Sequence, residues 1–172
     1  IDFGSDFGKL LGGFCAASGA ASVRQTFEPC PAGTFNPDRG NSSSAACHAC
    51  APGKANPIPG SSNASVCLDC LPGSHAADPS SAKCELCTPG KFMNESGATA
   101  CFECEAGSYC ERGAIAPVSC EPGTFGTATN LSVEGDCTNC PLGHFCVSGS
   151  VEPEPCPAGT YGDAQGLGSA QC

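Results

Sequence analysis

Cys30-Pro-Ala-Gly-Thr-Phe35, a polar loop, then Cys47-His-Ala-Cys50-Ala-Pro-Gly53: within these residues one unit of the chain opens, closes and begins again. Glycine stands three residues after a cysteine eight times, at Cys30/Gly33, Cys50/Gly53, Cys70/Gly73, Cys87/Gly90, Cys104/Gly107, Cys120/Gly123, Cys140/Gly143 and Cys156/Gly159. Successive openings lie 20, 20, 17, 17, 16, 20 and 16 residues apart, the spacing of one short supersecondary element stacked in tandem. About eight units follow, over 30–49, 50–69, 70–86, 87–103, 104–119, 120–139, 140–155 and 156–172.

Each unit carries its own punctuation. A small or turn-forming residue usually precedes the glycine (Ala32, Pro52, Pro72, Pro89, Pro122, Ala158), and the glycine supplies a positive φ or a close backbone approach. The chain therefore bends just after each opening cysteine. Two residues past the glycine stands an aromatic ring in six units: Phe35, Phe92, Tyr109, Phe125, Phe145 and Tyr161. Ala55 and His75 are the exceptions. That ring is the expected packing anchor of the module. A Gly/Ser/Ala/Asn-rich loop then runs to a C-x-x-C pair whose second cysteine opens the next unit, as at Cys47/Cys50, Cys67/Cys70, Cys84/Cys87, Cys101/Cys104 and Cys137/Cys140.

Leu, Ile, Val and Phe make up about 15% of the chain, while Gly and Pro number 23 and 15 and Trp is absent. So little apolar side chain cannot offset a backbone ordering cost of about 1–2 kcal/mol per residue. Covalent cross-links must contribute. Seventeen cysteines allow at most eight intrachain bridges, and one that closes a loop of about 15 residues stabilises by roughly 3 kcal/mol. Zinc is the competing account of C-x-x-C pairs. Here the pairs lack the grouping of a zinc ribbon, and only His48, His75 and His144 could supplement them. We expect disulfides, with no metal and no cofactor. Four sequons, at Asn41, Asn63, Asn94 and Asn130, point independently to an oxidising secretory route and to covalent glycans in the loop four to seven residues ahead of the closing cysteine in those four units.

The simplest pairing closes each unit on itself: Cys30 with Cys47, Cys50 with Cys67, Cys70 with Cys84, Cys87 with Cys101, Cys120 with Cys137 and Cys156 with Cys172. Two units have their second cysteine directly after the aromatic. Counting then pairs Cys104 with Cys110 and Cys140 with Cys146, while a shifted scheme through Cys120 and Cys156 stays open. Cys15 is left over, unpaired or bonded outside these units.

Cys30-Pro-Ala-Gly-Thr-Phe35, Cys156-Pro-Ala-Gly-Thr-Tyr161 and Cys120-Glu-Pro-Gly-Thr-Phe125, each with its polar loop, resemble the ephrin-receptor-like cysteine-rich repeat, a relative of the tumour-necrosis-factor-receptor module. The resemblance covers about residues 27–172. It implies an elongated, disulfide-laddered ectodomain in which the first cysteine of a unit bonds to the next one along. It also implies a setting among large surface and secreted proteins of protists and algae, flagellar hairs among them. The expected fold class is small and disulfide-rich: an elongated tandem array of short β-hairpin and turn modules with little regular secondary structure.

Residues 1–29 are of another kind, rich in Phe, Leu and Gly, with Val23–Phe27 reading as a short strand. They are expected to be a remnant of a preceding domain packed on the first repeat, or an arm that docks on another subunit. No apolar run approaches the ~18 residues of a membrane span. No signal peptide is visible; with no initiator Met and a last residue, Cys172, that could begin another C-x-x-C, the chain reads as a window on a longer mature polypeptide.

The acidic residues lie singly on loops, no His stands beside a nucleophile, and no phosphate-binding loop is present, so no enzyme is expected. Seven scattered basic residues and a net charge of −10 argue against nucleic acid. Nor is there the dense oxygen-ligand spacing that calcium requires. The expected role is a glycosylated structural rod in an extracellular fibril, flagellar-hair-like filament or cell coat, assembling with copies of itself. Near-uniform units, the Phe/Leu-rich N-terminal stretch and the spare Cys15 favour it. The alternative is the stalk or ligand-binding ectodomain of a cell-surface receptor, for which clustered aromatic or Arg anchors would be expected.

Overall fold

The structure, a computed structural model, describes residues 28–38, 43–170 and 172. Cys15, Asn41 and the Val23–Phe27 stretch lie outside the described residues. What is described is an array of small disulfide-rich modules in which the regular structure is two-residue strands and three short 3-10 turns.

Every unit begins with the same turn. The amide of the fourth residue after the opening cysteine donates to the carbonyl of the first, as Thr34 to Pro31, Lys54 to Ala51 and Thr124 to Glu121. The glycine between them has φ of +74° to +91° in all eight units, the signature of a type II turn, and Pro52, Pro72, Pro89 and Pro122 precede it in four of them. Where the fourth residue carries a hydroxyl, that group bonds the same carbonyl, as in Thr34, Ser74, Ser108, Thr124 and Thr160. The turn launches a short strand that pairs antiparallel with the two residues before the next cysteine. Thr34–Phe35 pairs with His48–Ala49, Lys54–Ala55 with Leu68–Asp69, Ser74–His75 with Glu85–Leu86 and Lys91–Phe92 with Phe102–Glu103. Ser108–Tyr109 with Val118–Ser119, Thr124–Phe125 with Thr138–Asn139 and His144–Phe145 with Glu154–Pro155 continue the series. The amide of the next opening cysteine then donates to the turn glycine's carbonyl, as Cys50 to Gly33 and Cys70 to Gly53. The C-x-x-C spacer is thus the second strand of a hairpin.

Such hairpins are too short to be stable alone; the backbone joins them. The turn glycine of each unit donates to the carbonyl six residues into the next unit, through Gly33 to Asn56, Gly53 to Ala76, Gly73 to Met93, Gly90 to Cys110, Gly107 to Gly126, Gly123 to Cys146 and Gly143 to Gly162. The amide at that sixth position donates onward in turn, for instance Asn56 to Ser81 and Cys110 to Leu131. A third bond returns to the opening cysteine's carbonyl from Gly60, Ser80, Gly97, Gly113, Asn130, Gly149 or Gly166 of the following unit. All three recur at each of the seven junctions. These bonds are all between backbone atoms, so they do not depend on particular side chains.

The residues that make this third bond form a second left-handed series, nine or ten positions after each opening cysteine from Cys50 onward. Glycine fills five of its seven places; Ser80 and Asn130, at φ +60° and +62°, fill the others. Their carbonyls point at the turn glycine two units earlier: Ser80 at Gly33, Gly97 at Gly53, Gly113 at Gly73, Asn130 at Gly90, Gly149 at Gly107 and Gly166 at Gly123. A Cβ on any of these six glycines would overlap that oxygen. Gly143 and Gly159 belong to the last two units, and a Cβ there would meet nothing.

Sulfur fills the interior. Seven of the eight opening cysteines are buried, together with Cys110 and Cys146, and Met93, Ala55, Ala76 and Phe145 complete the apolar core. The aromatic anchors expected from the sequence are mostly half-buried, and Tyr161 is exposed. Phe35 stacks across its hairpin on His48 and Phe92 leans on Phe102, so these rings cover hairpin faces instead of forming a shared core. Of the anchors, Phe145 alone among the described residues is buried in the core.

Gly73→Ala should therefore lose about 3 kcal/mol, from left-handed strain plus collision with the Gly113 carbonyl. Gly159→Ala should lose only about 1 kcal/mol, from strain alone. Urea denaturation of the two variants beside the parent chain measures the difference; equal losses would contradict the two-unit contact.

Candidate functional site

Because the structure joins all sixteen described cysteines, the bridges themselves are the chemistry most densely repeated along the chain. Cys30 bonds Cys47, Cys50 bonds Cys67, Cys70 bonds Cys84, and Cys87 bonds Cys101. Cys120 bonds Cys137 and Cys156 bonds Cys172. At the two places where a shifted scheme stood open, Cys104 bonds Cys110 and Cys140 bonds Cys146, each across six residues. The reason is the register of the stack. Cys110 and Cys146 occupy the sixth position of their units, where Asn56, Ala76, Met93 and Gly126 stand elsewhere, and their amides and carbonyls make the ordinary junction bonds. In these units Pro117 and Pro153 stand where a closing cysteine would be. The bridge changes partner while the backbone keeps its path.

Asn56 shows what that interior position demands of a polar group. Its side chain is completely buried. Its amide nitrogen donates to the carbonyls of Thr34 and Ile58 and to the Ser61 hydroxyl, and its oxygen accepts from the Ile58 amide. Every hydrogen-bonding atom is thereby matched, which removes the desolvation cost of burying it.

The sequons sit outside this core, and their backbone settings differ. Asn63 is exposed and caps the Ala64–Val66 turn, its oxygen accepting from the Ser65 amide at 3.0 Å. That bond leaves the amide nitrogen, the atom a glycan would occupy, out of the cap. Asn94 is exposed seven residues into its unit. Asn130 is exposed yet occupies a left-handed junction position, its amide bound to the Cys104 carbonyl. The common loop placement suggested by distance to the closing cysteine therefore resolves into three different sites. The sequence reading missed the second left-handed series altogether. Its signal was present: Gly60, Gly97, Gly113, Gly149 and Gly166 recur at nearly constant distance from the opening cysteines, and only Ser80 and Asn130 mask it.

Two ion pairs lie on the surface of the described residues. Lys54 meets Asp69 at 2.6 Å and Lys91 meets Glu103 at 3.7 Å, each directly across a hairpin. Exposed pairs of this kind contribute at most about 1 kcal/mol. Asp136 ends the Glu134–Asp136 turn and accepts from the Ser132 amide, the Ser132 hydroxyl and the Val133 amide. These bonds, the Ser132 amide foremost, hold its carboxyl below the usual carboxylate range. Large apolar side chains, among them Leu68, Leu71, Phe102 and Ile115, are exposed. Open grooves lie beside Tyr109, Ile115 and Val118, and beside Leu86 and Arg112. Among the described residues no helix is long and apolar enough to cross a membrane. No protein-family model matches the chain, and no curated protein matches it.

A lowered carboxyl pKa contributes order that is present above the ordinary Asp range, near pH 4, and is lost as pH falls through the lowered value. The Ser132 and Val133 amide resonances should therefore stay constant from neutral pH down through that range and move only below it. Asp136→Asn should abolish the transition; an unchanged titration in the variant would remove Asp136 from the loop's support.

Proposed function

We propose that this chain is a stretch of tandem ephrin-receptor-like, tumour-necrosis-factor-receptor-related cysteine-rich repeats. In this reading it serves as a glycosylated, disulfide-stapled rod in an extracellular fibril, flagellar-hair-like filament or cell coat. The observation that carries the reading is the junction of three backbone hydrogen bonds, repeated unchanged seven times and reinforced by the glycine contact two units away. Such an array transmits register through backbone geometry, and each unit is closed by its own bridge. It has the properties of a spacer.

The junction is also heterologous: the surface that donates from the turn glycine differs from the surface that accepts. Contacts of that type propagate head to tail and generate filaments when the rotation does not close. Dense cystine and exposed sequons support an oxidising extracellular setting. The acidic balance of −10 supports solubility of an array with so much exposed surface.

Purified, oxidised chain should form regular filaments in electron micrographs, and removal of residues 1–22 should release monomers. A monodisperse monomer from the intact chain would contradict self-assembly and favour the receptor-stalk alternative. Peptide mapping of secreted material should find sugar on Asn63 and Asn94; bare asparagines at both would contradict the glycosylated coat.

A further inference from the structure

His75 is the imidazole that replaces the aromatic ring of its unit, and its surroundings give that departure a chemical meaning. Its Nδ1 lies 3.4 Å from Sγ of Cys101, the closing cysteine of the following unit. Cys101 is bonded to Cys87, and the three ligand atoms all lie within 4.8 Å of one another. Cys87 is fully buried, whereas His75 and Cys101 are half-buried and open to solution on one side. Among the described residues this is the one such cluster of metal-ligating side chains. The hairpin fixes His75, with Ser74–His75 held against Glu85–Leu86, and Leu86 runs directly into Cys87. The imidazole and both sulfurs are therefore placed by backbone pairing and not by a flexible loop.

We propose that the Cys87–Cys101 bridge, once reduced, forms with His75 a three-ligand site for Zn²⁺, two thiolates and one imidazole, leaving the fourth tetrahedral position to water. The reductant is a dithiol. It delivers two electrons and two protons to the bridge, breaks the S–S bond to give the Cys87 and Cys101 thiols, and leaves as its own cyclic disulfide. Zn²⁺ then displaces both thiol protons into solution and accepts the Nδ1 lone pair of His75. Two thiolates and an imidazole are a ligand set that suits Zn²⁺. Metal capture withdraws the reduced form and so draws the bridge open by mass action. The metal would tie the unit at 70–86 to the unit at 87–103, a link the disulfide does not make, because both of its cysteines belong to the later unit.

The test uses the full oxidised chain, treated under native conditions with one equivalent of dithiol, freed of reductant and given Zn²⁺. One ion per chain should be retained, with Cys87 and Cys101 the two thiols shielded from alkylation and exposed again by a chelator. Co²⁺ in its place should give a thiolate-to-metal charge-transfer band. His75→Phe installs the ring that other units carry, and its fold is checked by an unchanged disulfide map in the oxidised chain. Once reduced, it should hold Zn²⁺ at least about tenfold more weakly and lose the tetrahedral cobalt spectrum. Equal affinity in His75→Phe, no retained ion, or retained ion with Cys87 and Cys101 still alkylated would overturn the proposal. So would opening of other bridges while Cys87–Cys101 stays closed.

Discussion

A carbonyl oxygen occupying the place of a missing Cβ is the constraint on which this stack depends. Six turn glycines receive the carbonyl of a left-handed residue two units further on, and no other amino acid leaves room for it. Because that left-handed residue also donates its amide to the opening cysteine of the unit between, three consecutive units are held by one backbone position. The turn glycine thus has two duties at once. Its positive φ turns the chain inside the unit, and its bare Cα admits the neighbour that orders the array.

Disulfides are the second constraint, and they are subordinate in an informative way. The six long-loop bridges and the two short ones span very different lengths of chain. Yet the junction hydrogen bonds around Cys104 and Cys140 are those found at every other opening cysteine. The bridge closes a loop and lowers the entropy of the unfolded chain, while the backbone bonds decide where each unit sits. That division explains why a core of cystine, a few apolar side chains and one matched asparagine suffices, with most of the aromatic rings left half-buried.

An array of this kind offers chemistry only where a unit departs from its pattern. Asn56 is such a departure, and its side chain is used up in holding the loop at Ile58 and Ser61. His75 is another, and its imidazole reaches a bridge instead of covering a hairpin. The proposed structural role rests on the uniform part of the array; the proposed metal site rests on a single exception to it. The two readings make independent demands on the molecule.

The repeat, the bend after each opening cysteine and the six long bridges were legible in the residue order, because a turn needs Pro and Gly at fixed places and a short loop brings its own two cysteines together. Cys104–Cys110 and Cys140–Cys146 were legible by counting alone, and the second left-handed series was not read, since Ser80 and Asn130 carry no glycine to announce it. Only the tertiary structure decided which unit touches which. Contacts one and two units away are made by backbone atoms that every residue type possesses, so the sequence bears them as nothing more than an obligation for glycine where two stretches of backbone come too close for a side chain.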